Sequence, residues 1–105
     1  MAEDTVDLLG DGVLGTLPKC RTAALTLDGA ARAGEVAALA REDGLAANLL
    51  EGLPYIEAEV AYAARAEMAA TVEDVLFRRT RAATEAPRDA EDAAPRVAEL
   101  LAAYA

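Results

Sequence analysis

A chain of 105 residues is long enough for one domain with a modest core, but too short for a dinucleotide-binding domain joined to a substrate domain. Alanine dominates an apolar fraction of 54%, and aromatic residues contribute only 4%, which favours closely packed helices over a β-sandwich or barrel. The net charge of −9 argues against nucleic acid or an anionic membrane as a partner, and the lack of histidine excludes Ser–His catalysis and ordinary zinc sites within the chain.

The compartment is indicated by the cysteine count and by the hydropathy of the sequence. A single cysteine, Cys20, cannot form an intrachain disulfide, which is consistent with a reducing compartment. No apolar run approaches the roughly 18 residues that a bilayer span needs. We therefore expect a cytoplasmic protein that does not insert this segment into a membrane.

Residues 1–19 contain three glycines and Pro18, a density of turn formers, and are expected to form an irregular lead-in or linker. The glycines of the stretch 10–15 formally match the dinucleotide-binding pattern Gly-x-Gly-x-x-Gly. That pattern binds pyrophosphate only between a buried strand and a helix. Asp7 interrupts the preceding apolar run and Pro18 would lie inside the required helix, so we assign no cofactor-binding residue here.

Residues 20–105 are expected to form the domain proper, a single all-α bundle of about four to five helices. A short helix is predicted near residues 19–25, with a break at 27–29, and an amphipathic helix from about Ala30 to Arg41. Asp43 and Gly44 should end that helix.

The segment between this helix and the next one is apolar. Residues 45–50 are predicted to form at most one helical turn. Leu49, Leu50 and Leu53 should form a hydrophobic plug under the following helix rather than line a pocket.

Helix signals, apolar periodicity and unusually placed charges coincide in residues 54–81. A helix is expected from just after Tyr55 to about Ala70, with Met68 at the edge of its apolar stripe and Glu67 in the middle of that stripe. Thr71 is expected to cap a second helix, with Asp74 completing a variant of the capping box.

The second helix should continue to about Ala83, and Arg79 falls on its apolar face. A lone buried charge costs several kcal/mol unless it is paired, so we predict an ion pair between Glu67 and Arg79 across the helix crossing. An alternative is that Glu67 is a general base with a raised pKa. That interpretation lacks a nearby nucleophile, metal site or histidine, and the structural role is favoured.

The C-terminal part should contain one further helix. Pro87 is expected to mark a loop, Asp89 or Asp92 to cap the helix, and Pro95 to lie in its first turn. Its apolar face is formed by Val97, Leu100, Leu101 and Tyr104.

The stretch 54–81, PYIEAEVAYAARAEMAATVEDVLFRRTR, resembles the C-terminal helical domain of FAD-dependent, aerobic glycerol-3-phosphate dehydrogenases. The family pattern there is roughly PY-[LI]-EAEV-x-YA-x-RHEMA-x-T-[LV]-ED-[VF]-L-x-RRTR, and residues 94–98 resemble the start of the family's last helix. Ala66 stands where the family usually has histidine, so no role of that imidazole is transferred to this chain.

The resemblance implies a longer parent enzyme that oxidises sn-glycerol 3-phosphate to dihydroxyacetone phosphate with FAD and passes electrons to quinone, bound peripherally to the inner face of the cytoplasmic membrane. The residues that bind FAD and substrate belong to the preceding domain of such enzymes. The resemblance therefore implies no catalytic, cofactor-binding or metal-binding residue here. The implied partners are the preceding FAD-binding domain and a second subunit of a homodimer, with Tyr62, Arg78 and Arg81 as polar docking contacts.

Two other classes of function compete with this interpretation. A freestanding acidic helical module that binds a basic partner is compatible with the net charge. A reading frame that begins near Met1 would favour that class, whereas one extending several hundred residues upstream would favour the dehydrogenase. DNA binding is disfavoured because Glu73 and Asp74 open the second helix, where a recognition helix would contact bases.

Overall fold

The computed structural model describes residues 2–26, 29 and 31–105. Regular secondary structure in these ranges is helical, so the expected all-α class is confirmed for them. The chain divides into two compact units, Met1–Ala30 and Ala31–Ala105. The α-helices are α1 (Ala2–Leu9), α2 (Arg32–Glu42), α3 (Glu57–Ala66), α4 (Ala82–Glu85) and α5 (Pro87–Tyr104). None of the helices in the described ranges has both the length and the apolar character that a membrane span requires.

The first unit is helical over residues 2–14, where an irregular lead-in was expected, and irregular over residues 15–21. α1 passes directly into a π-helical turn, Gly10–Leu14, and a 3₁₀ turn follows at Thr22–Ala24 inside the predicted short helix. Glu3 and Asp4 lie in the first turn of α1, where negative charge stabilises the positive end of the helix dipole. The predicted break at 27–29 includes two residues that lie outside the described ranges.

The second unit begins with α2, close to its predicted position. α2 starts at Arg32, and the expected start at Ala30 lies outside the described residues. Asp43 caps its C-terminus and Gly44 follows with φ 70°, a left-handed conformation that glycine adopts without steric cost. The predicted stop signal is therefore confirmed.

The segment after α2 is not helical: residues 45–50 contain bends and one bridge residue, so the single helical turn allowed for there does not form. Asn48 and Ile56 form an isolated antiparallel bridge. The first two amides of α3 donate to carbonyls of this segment, Glu57 N to Ala47 O at 3.0 Å and Ala58 N to Leu45 O at 3.0 Å. These carbonyls satisfy helix N–H groups that have no partner within the helix, which explains why this segment does not form a turn of its own.

The predicted leucine plug is confirmed. Leu50 is buried, and Leu49 and Leu53 are partly buried and pack against the core. The core of this unit is formed mainly by α3 and α5, with contributions from the π-helical segment Asp74–Arg79 and from Val36 of α2. The largest side chains that are completely buried are Val60, Val75 and Val97.

α3 is shorter than expected because it ends at Ala66 and not near Ala70. Glu67 caps the helix, and Met68 follows with φ 58°, so the amide of Ala69 reaches back to the carbonyl of Ala63 at 3.0 Å. A residue with a side chain in this left-handed conformation costs about 1 to 2 kcal/mol. Glu67 and Met68 therefore lie beyond the apolar stripe on which they were placed, and Met68 is 90% exposed.

The predicted regular helix from Thr71 to Ala83 is wrong. The chain forms a π-helix, Asp74–Arg79, is extended at Thr80, and then forms the short α4. Thr80 is buried, and both its amide and its hydroxyl donate to the carbonyl of Val75, at 2.8 and 2.9 Å. This buried threonine ends the helical segment at Arg79, four residues before the expected position.

α5 starts earlier than predicted. Pro87 lies at its first position, where a missing N–H is harmless, so the interpretation of Pro87 as a loop marker is wrong. Pro95 lies in the interior of the helix and not in its first turn. The predicted apolar face is confirmed, since its residues are buried or partly buried: Val97, Leu100, Leu101 and Tyr104.

One ion pair fixes α5 against α3. Arg96 donates to both carboxylate oxygens of Glu57, from Nε at 2.7 Å and from Nη2 at 3.0 Å. These hydrogen bonds lower the pKa of Glu57 below its ordinary value. The two-pronged geometry orients both side chains, so the pair fixes the register of the two helices as well as their charge balance.

Candidate functional site

The main group of charged side chains in the second unit links α2, α3 and the π-helix. Arg32, the first residue of α2, donates from Nη1 to Glu59 Oε1 at 2.9 Å and from Nε to Glu67 Oε1 at 3.1 Å. Arg79, the last residue of the π-helix, approaches Glu67 from the other side. We call Arg32, Glu59, Glu67 and Arg79 the charge cluster. Its two cations and two anions balance, so the cluster has no net charge.

Glu67 and Arg79 are brought together, but mainly through the backbone. Arg79 Nε lies 3.6 Å from Glu67 Oε2, whereas its Nη2 and Nε donate to the Glu67 carbonyl oxygen at 2.6 and 3.2 Å. Arg79 also remains an exposed residue, because it lies at the end of a π-helix and not on the buried face of an α-helix. Its guanidinium therefore stabilises the backbone turn after α3, through the Glu67 carbonyl, as well as neutralising the Glu67 carboxylate.

Arg32 and Glu59 are the two members of the cluster that the sequence analysis missed, and Arg32 is the one that links the two carboxylates. Burial acts to lower the pKa of Arg32, but the adjacent carboxylates of Glu59 and Glu67 outweigh it and raise the pKa above its ordinary value. Its position four residues before the buried Val36 places it on the apolar face of α2. That spacing is the signal that could have identified it.

Two buried polar atoms at the centre of the charge cluster make no hydrogen bond. Arg32 Nη2 and Glu67 Oε2 are buried and lack hydrogen-bond partners. The guanidinium carbon of Arg32 lies 5.6 Å from the ring centroid of Tyr62, so the aromatic face compensates part of the missing interaction. Tyr62 itself is buried. The prediction of Tyr62 as a docking contact is therefore corrected, because its ring packs beneath Arg32 in the core.

Thr71 and Asp74 form the reciprocal contacts of a capping box. The amide of Asp74 donates to Thr71 Oγ1 at 3.1 Å, and Asp74 Oδ2 accepts from the amides of Ala70 and Thr71 at 3.1 and 3.0 Å. The hydrogen bond from the Ala70 amide, together with those from Thr71, lowers the pKa of Asp74 to about 2. The carboxylate thus fixes the backbone between α3 and the π-helix.

The glycine stretch 10–15 does not fit a flavin nucleotide. It follows α1 and not a strand, and most of it forms a π-helical turn. In the described part of the chain, no group of three or more acidic or cysteine side chains could hold a metal ion. The contacts of the charge cluster are internal ion pairs and hydrogen bonds.

A comparison with models of protein families identifies the family of this chain. A model of the C-terminal domain of alpha-glycerophosphate oxidase matches residues 30–105. The chain belongs to this family. The match spans the whole second unit and begins ten residues later than the expected domain start at residue 20.

Curated relatives of this oxidase C-terminal domain are glycerol-3-phosphate dehydrogenases. A probable mitochondrial enzyme of Dictyostelium discoideum is 46% identical over 67 residues, 64% of this chain and 10% of the relative. Mitochondrial enzymes of Arabidopsis thaliana and Mesocricetus auratus are 44% and 41% identical, each over 67% of this chain and over 11% and 10% of their own length. The chain spans about a tenth of the relatives that it matches. No solved structure gave a significant match.

The predicted resemblance is thus confirmed, and the short match fits a non-catalytic C-terminal domain of the dehydrogenase. Within the matched segment, Arg78 donates to Asp74 at 2.7 Å and to Glu73 at 2.9 Å, so neighbouring carboxylates neutralise its charge. Arg81 is 77% exposed, and its nearest carboxylate, Glu85, lies 3.7 Å away. Of these two arginines, Arg81 is the more accessible to a partner.

Proposed function

We propose that residues 31–105 are the non-catalytic C-terminal domain of a longer FAD-dependent enzyme that oxidises sn-glycerol 3-phosphate to dihydroxyacetone phosphate and passes the electrons to quinone. The observation that carries this proposal is the family match over the entire second unit, together with relatives named as glycerol-3-phosphate dehydrogenases that are about ten times as long as the matched stretch. FAD and substrate are bound by the preceding part of that polypeptide. The enzyme is cytoplasmic and lies peripherally on the inner face of the cytoplasmic membrane.

The role of this domain is to pack against the preceding FAD-binding domain or against a second subunit. The charge cluster supports a structural role, because Arg32 and Arg79 together occupy the Glu67 carboxylate and carbonyl and thereby fix α2, α3 and the π-helix relative to one another. A catalytic base would need an accessible oxygen directed at a substrate. Polar contacts with the partner come from Arg81 and, more weakly, from Arg78.

The test is an assay of the complete gene product that contains this chain. Reduction of a soluble quinone analogue is measured with sn-glycerol 3-phosphate, and the flavin is recorded by its visible absorbance. We expect substrate-dependent reduction and one bound flavin in the complete product, and neither in the 105-residue chain. A complete gene product without this activity, or flavin bound to the 105-residue chain, would contradict the proposal.

The net charge of −9 favours one alternative, a freestanding acidic module that binds a basic partner. Under this alternative the complete gene product is hardly longer than the chain itself, and it binds a cationic protein with an affinity that falls steeply with salt. The length of the gene product and its dehydrogenase activity therefore separate the two functions.

A further inference from the structure

Met68 combines two unusual properties. Its side chain is 90% exposed, the highest value among the large apolar residues of the described ranges that are exposed. Its φ of 58° is also the one positive value among the non-glycine residues of those ranges. The left-handed turn closes the end of α3, but glycine would form it without strain, and the unit gains nothing from an exposed apolar side chain there. Strain at such a residue suggests a function outside the folded unit.

A matched position within the same unit shows what an ordinary turn would look like. α2 ends at Glu42, is capped by Asp43, and has Gly44 at the next position with φ 70°. α3 ends at Ala66, is capped by Glu67, and has Met68 at the equivalent position. Glycine is the usual residue at the position after the C-cap. The turn after α3 instead carries the long apolar side chain of Met68, although a left-handed backbone favours a residue without a side chain.

The turn that carries Met68 is held on both sides. Before it, the guanidinium of Arg79 binds the carbonyl of Glu67 at 2.6 and 3.2 Å. After it, the amide of Ala69 donates to the carbonyl of Ala63 at 3.0 Å, and Asp74 binds the amide of Ala70 at 3.1 Å. The backbone is therefore fixed before any partner binds, which lowers the entropic cost of docking, and the flexible thioether adapts to the shape of a pocket.

We propose that Met68 is a docking anchor that inserts into an apolar pocket on the preceding part of the same polypeptide. This inference rests on the proposed function and names the contact through which the domain packs. The matched relatives are about ten times as long as the matched stretch, so most of such a polypeptide is available as the partner of a C-terminal domain. The net charge of −9 acts against the other two occupants, a second copy of this chain and an anionic bilayer.

The direct test uses hydrogen peroxide as a footprinting reagent. Peroxide transfers one oxygen atom to the methionine sulfur, giving the sulfoxide and water, at a rate that depends on access to the sulfur. The rate at Met68 is measured by mass spectrometry in the 105-residue chain and in the complete gene product. We expect oxidation at least about tenfold slower in the complete product, and equal rates would overturn the inference.

Two further parts of this experiment test the other possible partners of Met68, a second copy of the chain and an anionic membrane. Protection of Met68 that rises with the concentration of the 105-residue chain alone would assign the contact to a second copy. Protection by phosphatidylglycerol vesicles would assign it to a membrane. Either result would overturn the inference as stated.

The dehydrogenase assay on the same sample separates the inference from the proposed function. An active complete product with fully accessible Met68 would refute the anchor and leave the proposed function intact. An inactive complete product with protected Met68 would refute the proposed function and leave the docking contact supported, and an inactive product with accessible Met68 would refute both.

A pair of variants provides an independent test. Met68→Asn removes the apolar side chain but tolerates the left-handed conformation, so the domain should still fold. We expect its melting temperature to be unchanged or higher in the 105-residue chain, and several degrees lower for the same domain in the complete product. Gly44→Asn is the matched control at the equivalent turn, where a side chain meets open space, and it should behave alike in both contexts. If Met68→Asn changed the melting temperature equally in the 105-residue chain and in the complete gene product, docking through Met68 would be refuted.

Discussion

At the scale of single residues, Arg32 is the side chain on which the charge cluster depends. It contacts both carboxylates, Glu59 and Glu67, and it also lies over the ring of Tyr62. Removing it would leave two partly buried carboxylates that only Arg79 could compensate, and Arg79 reaches just one of them. The stability of the domain should therefore be more sensitive to Arg32 than to any exposed arginine.

A double-mutant cycle tests this dependence. We expect Arg32→Ala to lower the free energy of unfolding by about 2 kcal/mol, because it removes two charge-assisted hydrogen bonds and leaves both carboxylates without a cation at that position. Arg32→Ala combined with Glu67→Ala should cost about 1 kcal/mol less than the sum of the single changes. Urea denaturation measures each value. Arg81→Ala, in an exposed pair, is the control and should cost under about 0.5 kcal/mol. An Arg32→Ala value as small as that of the control would contradict the prediction.

The capping carboxylate gives a prediction for the dependence of stability on pH. The pKa of Asp74 is lowered to about 2 in the folded chain, below its ordinary value of 3.8. Its stabilising contribution is therefore complete above the ordinary value and is lost as the pH falls through about 2.

The measurement is the melting temperature of the wild type and of Asp74→Ala at several pH values. The difference between them should be constant near neutral pH, shrink in acid and vanish only below a pH of about 2. Asp92→Ala serves as a control at an exposed position within α5 and should change the melting temperature little throughout. A difference that persists unchanged in strong acid would refute the assigned role of Asp74.

At the scale of secondary-structure elements, the apolar faces and the ends of helices are easier to predict from the sequence than the type of helix, α or π. The apolar face of α5 and the stop after α2 depend on residue spacing and on local backbone preferences, and both were predicted. The π-helix and its end at Thr80 were not, because the choice between the two hydrogen-bond registers depends on the buried hydroxyl of Thr80 and its tertiary packing. Local sequence carries little information about that choice.

The charge cluster illustrates the same division. Glu67 and Arg79 were predicted as partners because each was assigned to the apolar face of a regular α-helix. The helix of Glu67 ends at Ala66, and Arg79 lies at the end of a π-helix. Arg32 lies 35 residues from Glu67 in sequence, and nothing local to either residue specifies that contact. Contacts of this kind are decided by how the helices pack.

Pro95 provides the prediction at this scale. It interrupts the hydrogen bonding of α5 at an exposed position, and burial of Val97, Leu100 and Leu101 beyond it keeps the helix continuous. Pro95→Ala restores a backbone donor, so we expect it to raise the free energy of unfolding by about 1 kcal/mol, after allowance for the greater entropy of the unfolded chain.

Urea denaturation of the 105-residue chain measures the effect, and the second proline of the same helix is the control. Pro87→Ala lies at the first position, where no helical hydrogen bond is missing, and should change stability by less than about 0.5 kcal/mol. Destabilisation by Pro95→Ala would show that the helix requires proline at this point.

At the scale of the whole molecule, the matched family segment and the compact second unit coincide, since the match begins at residue 30 and the unit at Ala31. Composition predicted the all-α class, and the motif-rich stretch 54–81 predicted the family. Neither located the start of the unit, because the domain was expected from residue 20 and the unit begins at Ala31. The described part of the unit is held by an apolar core, by the charge cluster and by the Arg96–Glu57 pair.

The most direct test of a structural, non-catalytic domain is Glu67→Gln in the complete gene product. Removing one negative charge from the cluster should lower the melting temperature of the domain, because Arg32 and Arg79 lose part of their compensation. The kcat for sn-glycerol 3-phosphate oxidation, measured well below that temperature, should stay within about twofold of the wild type. A general base contributes roughly 10²- to 10⁴-fold to a rate, so a loss of kcat on that scale with an unchanged melting temperature would contradict the account.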